Sequence, residues 1–155
     1  MDKENRESLL TNIIQIGIVV NDVNKPIEGM KKVFDLEPDF VKDMNYPSVT
    51  YRGRKVDVIA RVASFNYFGV QLEFMQPIGD DDSIWQDHLN EHSSSALHHI
   101  RFNDVEDSKD INEYMKSRGI GVYQEGESVA TPGGKFIYYD TADQLGFITE
   151  VVSAK

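Results

Sequence analysis

Hydrophobic and polar positions follow two periods along this chain, one typical of strands and one of helices. Ile13–Val20 form a β-branched, apolar run bounded by turn residues, which predicts a strand. Apolar residues from Ile27 to Phe34 then recur at helical spacing, which predicts a helix with Asn24 as its N-cap and Pro38 beyond its end. Extended segments are predicted next, over about 39–46, 49–52, 56–65 and 69–77.

The same order of elements returns after an acidic loop and a short helix for which Ser83 is the predicted N-cap. A strand is predicted from Leu97, an amphipathic helix up to Gly119, and three more strands over about 121–125, 133–141 and 146–153. The order β-α-β-β-β therefore occurs twice, over about 13–77 and 96–153. Because neither module alone buries both faces of its sheet, we expect one α+β domain over 1–155 in which the modules close together.

Composition narrows the functional classes. The 155 residues are 40% hydrophobic and 27% charged, include no cysteine, and carry a formal net charge of −10. Without cysteine, thiolate catalysis, disulfides and iron–sulfur clusters are excluded, and the acidic charge disfavours nucleic acid as a partner. The polar N-terminus and the lack of any long apolar run favour a cytoplasmic protein with no membrane partner. One basic segment, Tyr51 to Lys55, could still contact an acidic small molecule.

Several segments resemble one known superfamily. The segment "IIQIGIVVNDV" is similar to the opening strand of the vicinal-oxygen-chelate superfamily, to which the glyoxalases belong. The segment "ALHHIRFNDVED" resembles the strand that opens the second module in the methylmalonyl-CoA epimerase branch, and "GFITEVVS" resembles the closing strand. The resemblance implies two βαβββ modules forming a cupped mixed sheet around a divalent metal ion, and a dimer.

The resemblance also implies a ligand set, which the internal repeat supports. Carried over position by position, the metal ligands are Gln15, Glu73, His99 and Glu150. Aligning the two modules places Gln15 opposite His99, and places Glu73 opposite Glu150, each four residues after a glycine. The superfamily more often has histidine where this chain has Gln15. An amide oxygen still coordinates a divalent cation, so zinc, cobalt, nickel and manganese all stay open as cofactors.

Several other polar residues can be interpreted either as functional groups or as ordinary surface or structural residues. The resemblance suggests Asp57 as a catalytic base, but a surface carboxylate paired with Arg61 or Lys55 explains it equally well. We expect Arg101, on the same strand face as His99, to hold a substrate carboxylate or phosphate or to balance a glutamate, and Arg61 to contact substrate.

The remaining histidines are assigned structural roles. By strand alternation, we expect His98 to point away from His99 and to lie against the helical layer or at a surface. His88 and His92 have the i, i+4 spacing of some zinc sites, but a solvated helix face is the favoured interpretation.

The function implied by the resemblance is that of a metal-dependent isomerase or epimerase. A carboxylate, Asp57 or Glu150, would abstract a proton alpha to a carbonyl of a small-molecule substrate, with a methylmalonyl-CoA-like acyl-CoA as first choice. One alternative is a glyoxalase I-type lactoylglutathione lyase, which uses a similar ligand set. The other is a non-catalytic protein of the same fold that binds and sequesters small molecules.

Overall fold

The fold is described from a computed structural model that defines residues 9–92 and 96–155. The polar segment 1–8 and the serines at 93–95 lie outside the described residues. The strands are β1 (Ile13–Val19), β2 (Phe40–Tyr51), β3 (Arg54–Phe65), β4 (Gln71–Ile78), β5 (Ala96–Phe102), β6 (Val122–Glu127), β7 (Lys135–Tyr139) and β8 (Ile148–Ser153). The helices are α1 (Asn24–Phe34), α2 (Ile84–Glu91), α3 (Lys109–Ser117) and α4 (Ala142–Leu145).

The strands form one mixed sheet with an internal repeat. Around the sheet the order is β1-β4-β3-β2-β6-β7-β8-β5. The first and last strands pair in parallel within each module, β1 with β4 and β5 with β8, and the other pairs within a module are antiparallel. Each half therefore has the same strand order, as the repeated pattern of the sequence predicts.

The sheet closes on itself, which goes beyond the predicted cup. One seam between the modules joins β1 to β5 along most of their length. The other seam joins β2 to β6 at only two residue pairs, Thr50 with Glu125 and Tyr51 with Gln124. Because this second seam holds the barrel at one end alone, β2 and β6 can separate at the other end, and a cavity opens there.

Helix boundaries follow local capping, with two departures from the sequence prediction. The residue before α1 is Val23 and makes no side-chain cap, so Asn24 lies inside the helix. The helix ends at Phe34 because Asp35 adopts a left-handed conformation, well before Pro38. Ser83 caps α2 as predicted, accepting a hydrogen bond from Gln86 N. Within the described residues, no helix is long and apolar enough to cross a membrane.

Three clusters of buried side chains hold the layers together. One fills the barrel interior and includes Trp85, which α2 inserts between strands of both modules. A second lies between α1 and the first module, around Met30 and Phe65, and a third between α3 and the second module, around Ile111 and Tyr139. Since α2 lies across the end of the barrel where β2 and β6 pair, the interior is open toward the opposite end.

Candidate functional site

The four residues predicted as ligands come from four neighbouring strands. Gln15 lies on β1, Glu73 on β4, His99 on β5 and Glu150 on β8, and these strands are contiguous in the order β4-β1-β5-β8. Gly17 pairs with both Glu73 and His99, which brings the two side chains onto one face. The fold thus gathers the predicted set inside the barrel.

The side chains of this set converge on one nitrogen atom. His99 Nε2 lies 3.0 Å from Gln15 Oε1, 3.3 Å from Glu150 Oε2 and 3.5 Å from Glu73 Oε2. His99 is fully buried, and Gln15 and Glu150 are buried as well. Two carboxylates, an amide oxygen and an imidazole therefore share a largely water-free volume.

The charges of this buried cluster are not balanced. Burial, together with the neighbouring Glu73 carboxylate, raises the pKa of Glu150 to about 7 against the opposing influence of His99 and Arg101. Burial alone would lower the pKa of His99, but the Glu150 and Glu73 carboxylates outweigh it and raise that pKa. Glu150 Oε2 is buried and has no hydrogen-bond partner. Two acids beside one base leave a negative charge that nothing in the cluster neutralises.

The geometry fits a divalent cation once the amide is included. Zinc ligands lie about 2.0–2.2 Å from the metal, so two ligands of one tetrahedral or octahedral ion are about 2.8–3.6 Å apart. The three distances from His99 Nε2 fall in that interval. Counting only His, Cys, Asp and Glu, the described part of the chain contains no group of three arranged to hold a metal ion. A cation at this position would therefore need the Gln15 amide oxygen as a donor beside His99 and the two carboxylates.

A glycine makes room for the imidazole. A Cβ atom placed on Gly17 would lie 2.0–2.4 Å from three atoms of the His99 ring. No side chain can occupy that position while the ring stays where it is, because carbon atoms in contact need about 3.4 Å. Gly17 is thus part of the site, although it carries no functional group.

The two adjacent histidines do not diverge as strand alternation predicted. The register between β1 and β5 shifts between Gly17 and Ile18, which leaves His98 without a partner on β1. Both histidines are consequently buried, and His98 Nδ1 lies 2.9 Å from His99 Nδ1. His98 also packs edge-on against His88 of α2, so the predicted contact with a helix is present.

A cavity of about 300 Å³ opens beside the cluster. Gln15, Glu73 and Glu150 form its polar floor. Its walls are mostly apolar or aromatic, and the residues concerned are Phe40, Met44, Tyr46, Met75, Trp85, Phe136, Tyr138 and Val152. Among the described lining residues, Glu73 and Glu150 are the only carboxylates. A small molecule with an oxygen-bearing end and an apolar body matches this shape and polarity.

Two basic residues stand at the cavity. Arg101 lines it as predicted, and its Nη2 donates to Asp104 Oδ1 at 2.7 Å while its Nε is buried without a partner. Lys42 lines it from β2 and is exposed. Sequence reasoning missed Lys42, although the alternation of Phe40, Lys42 and Met44 along one strand face could have indicated it.

Tyr138 is a second lining residue that the sequence reasoning did not single out. It is buried, and burial together with the Glu150 and Glu73 carboxylates raises its pKa well above the usual value. It also hydrogen-bonds to Glu150. Tyr138 therefore stays protonated and can donate to that carboxylate.

The structure does not bring Asp57 or Arg61 to this cavity. Asp57 is exposed and accepts a hydrogen bond from Ser48 N at 2.7 Å, and Arg61 pairs with Asp43 at 2.6 Å. On β3 the side chains of Val58 and Ala60 point into the barrel instead. Both residues are therefore surface residues, as the alternative interpretation predicted. The partner of Arg61 is Asp43, however, and not Asp57.

The basic segment Tyr51 to Lys55 also lies away from the cavity. Arg52 reaches Asp87 at 3.4 Å and Arg54 pairs with Asp82. These arginines are therefore neutralised by acidic residues from distant parts of the chain. His88 is half-buried and stacks on His92 at 4.2 Å between ring centroids, so only His92 matches the predicted solvated face.

Comparison with known proteins fixes the family. The model of the Glyoxalase/Bleomycin resistance protein/Dioxygenase superfamily matches residues 14–139. The chain belongs to this superfamily. A comparison with curated proteins finds no significant match.

Solved structures of similar fold include methylmalonyl-CoA epimerases. A Streptomyces coelicolor methylmalonyl-CoA epimerase variant in complex with 2-nitronate-propionyl-CoA is 21% identical with a TM-score of 0.63, covering 94% of this chain and 95% of that chain. The Mycobacterium tuberculosis epimerase is 15% identical with a TM-score of 0.65, covering 97% and 92%. A Bacillus halodurans protein is 14% identical with a TM-score of 0.61, covering 92% and 94%. At these identities the likeness concerns the fold.

Proposed function

We propose that this superfamily member is a metal-dependent isomerase that moves a proton alpha to a carbonyl group. One observation carries the proposal: three oxygen donors surround His99 Nε2 at 3.0–3.5 Å, and the buried Glu150 Oε2 among them has no hydrogen-bond partner. A divalent cation would supply the charge that this arrangement lacks. Gln15, Glu73, His99 and Glu150 would hold it, with zinc, cobalt, nickel and manganese all compatible with the donors.

The bound cation would stabilise the negative charge that develops on the substrate carbonyl oxygen. The chain's own contribution is the proton transfer. Glu150 is the base we assign: its side chain lines the cavity, and it would leave the cation transiently to take the proton. Tyr138 would steady the carboxylate through its hydrogen bond. The apolar walls of the cavity would limit the access of water and so strengthen the electrostatic contacts made inside it.

An acyl-CoA of the methylmalonyl type is the first substrate we propose. The support is the fold shared with epimerases solved with methylmalonyl-CoA and 2-nitronate-propionyl-CoA, and the two cationic side chains at the cavity. Arg101 and Lys42 would contact a substrate carboxylate or phosphate. The segment Tyr51 to Lys55 takes no part, because none of its residues lines the cavity.

A glyoxalase I-type lyase is the second candidate. With Asp57 outside the cavity, Glu73 and Glu150 are the carboxylates left to move a proton among the described lining residues. That limitation favours a reaction in which one carboxylate both removes the proton and returns it to a neighbouring atom. The resemblance of the set Gln15, Glu73, His99 and Glu150 to that of glyoxalase I agrees with this candidate.

Two measurements test these proposals. Metal analysis of protein purified without chelator should find about one divalent ion per chain, and His99→Ala should lose it, whereas Asp57→Asn should keep it. Solvent deuterium exchange into methylmalonyl-CoA, followed by NMR, then separates epimerase from lyase. Exchange identifies the epimerase, and turnover of the methylglyoxal–glutathione hemithioacetal identifies the lyase. A protein that retains no divalent ion, and is unaffected by Glu73→Ala and His99→Ala, would be a binding protein rather than this enzyme. A homodimer and a cytoplasmic location stay predictions.

A further inference from the structure

We propose that His98 is a positioning residue for His99: it accepts a hydrogen bond from the Nδ1–H group of His99 and so holds the other ring nitrogen, Nε2, toward Gln15, Glu73 and Glu150, where that nitrogen would exchange its proton for a cation. The inference rests on the proposed metal site and deepens it. It replaces the sequence-based interpretation of His98 as a packing residue.

The contact between the two rings is direct. His98 Nδ1 and His99 Nδ1 are 2.9 Å apart, a normal hydrogen-bond length, and both residues are buried. One nitrogen must therefore donate and the other accept, and the direction of this bond decides which nitrogen of His99 is free to bind a metal.

The far side of His98 fixes the direction. His98 hydrogen-bonds to the backbone of Ile84 in the first turn of α2. The Ile84 amide N–H already donates to Gln124 Oε1 at 3.1 Å, which leaves the carbonyl oxygen as the partner for His98. A carbonyl only accepts, so the His98 ring donates to it from Nε2 and turns the lone pair of Nδ1 toward His99.

The surroundings of His98 support the same direction. Among the described residues, the rings packed against the buried His98 are those of His88, His99 and Tyr138, and no carboxylate pairs with it. A buried imidazole without an anionic partner is favoured in its neutral form, which carries one N–H group, and that group is committed to Ile84. His98 Nδ1 can then only accept, so His99 carries a proton on Nδ1.

The local backbone makes this contact possible. In a regular strand, adjacent side chains point to opposite faces and their rings cannot meet in this way. The register shift opposite Gly17 and Ile18 turns His98 inward beside His99. Metal-binding histidines commonly donate their second nitrogen to a partner, and replacing that partner typically costs about 10–100-fold in metal affinity.

Three variants test the inference. His98→Leu removes the acceptor at similar volume and should weaken zinc binding by about 10–100-fold. His98→Gln keeps an oxygen that can accept from His99 Nδ1 and should lose less than about tenfold. His88→Leu, the control, removes the ring that packs on His98 and should leave zinc affinity as in the unaltered protein.

A spectroscopic measurement provides the readout that packing alone would not change. In protein carrying ¹⁵N-labelled histidine, NMR should show the proton on His99 Nδ1 and a scalar coupling across the hydrogen bond to His98 Nδ1. His98→Leu should abolish that coupling. A proton on His98 Nδ1, or unaltered zinc affinity in His98→Leu, would overturn the inference. If the unaltered protein bound no zinc, the proposed function would fail, whereas the coupling measured in metal-free protein would still decide the direction of the bond.

Discussion

Gly17 offers the sharpest test of the site, because a single methyl group is expected to displace the buried imidazole. In Gly17→Ala the new Cβ would meet His99 Cε1 at 2.0 Å, Nε2 at 2.2 Å and Nδ1 at 2.4 Å. The ring must retreat by about 1.4 Å to reach an ordinary contact distance. Because His99 is fully buried, the ring can retreat only by displacing the side chains packed around it or by moving toward the cavity.

Two effects follow from this displacement. Overpacking of a filled interior should lower the free energy of unfolding by about 1–3 kcal/mol, measured by urea denaturation of the metal-free protein. Metal sites tolerate errors in ligand distance of only about 0.2 Å, so zinc affinity should fall by about 100-fold or more, measured by competition with a chelator.

A matched substitution and a double-mutant cycle make the test decisive. Gly29 lies in α1 with no atom within 4 Å of its missing Cβ, so Gly29→Ala should raise stability by about 0.5–1 kcal/mol and leave zinc affinity unchanged. In a His99→Ala background the stability cost of Gly17→Ala should disappear, because the clashing ring is gone. An equal cost in both backgrounds would refute the reasoning, since the methyl group would then be colliding with something else.

Three further predictions concern charge. In metal-free protein, Glu150 binds a proton in the native state up to its pKa of about 7, whereas the unfolded chain releases it near 4.5, so the free energy of unfolding should fall by about 3 kcal/mol as pH rises across that interval. Because the pKa of His99 is raised in the native state, the free energy of unfolding should fall further above about pH 6.5. In Glu150→Gln, the free energy of unfolding measured by denaturation should depend less on pH. Arg101→Gln and Lys42→Gln should each raise the KM for an anionic substrate by about tenfold or more and leave kcat largely intact; steady-state kinetics that show a loss only in kcat would contradict a substrate-binding role. Asp57→Asn should leave zinc affinity and turnover unchanged, and a large drop in kcat would return Asp57 to the mechanism.

The sequence predicted the ligand positions because two regularities reinforce each other there. Side chains alternate between the two faces of a strand, and the chain repeats its module. A wrong strand face or a wrong alignment of the modules would therefore have broken the match of Gln15 with His99 and of Glu73 with Glu150. The four side chains do lie together in the barrel. Their role as metal ligands stays a prediction.

The misplaced residues have two different causes. Asp57 follows the regular alternation of β3, in which Val58 and Ala60 face the barrel, so the error lay in the position carried over from the resemblance. The interpretation of His98 assumed regular alternation, whereas the register shifts opposite Gly17. That shift is not visible in a hydrophobic pattern, because the residues on both sides of it keep their character.

Ion pairs between residues that are distant in the chain could not be predicted from the sequence either. The arginines of the segment Tyr51 to Lys55 looked available for a substrate phosphate, yet Asp82 and Asp87 reach them from the α2 region. Local charge density in a sequence does not reveal which charges are compensated after folding. Position in the fold separates the candidates instead: among the described residues, Arg101 and Lys42 are the cations that line the cavity, and Arg101 is also paired with Asp104.

The cluster at the barrel floor is costly to fold and is best understood through its chemistry. A hydrophobic side chain at the position of Glu150 would pack into the barrel without the burial cost that raises its pKa. The same cost disappears when a divalent cation balances two carboxylates, since the neutral His99 and Gln15 then add donors without adding charge. The arrangement that destabilises the empty barrel is thus the one that would prepare it to hold a cation and move a proton.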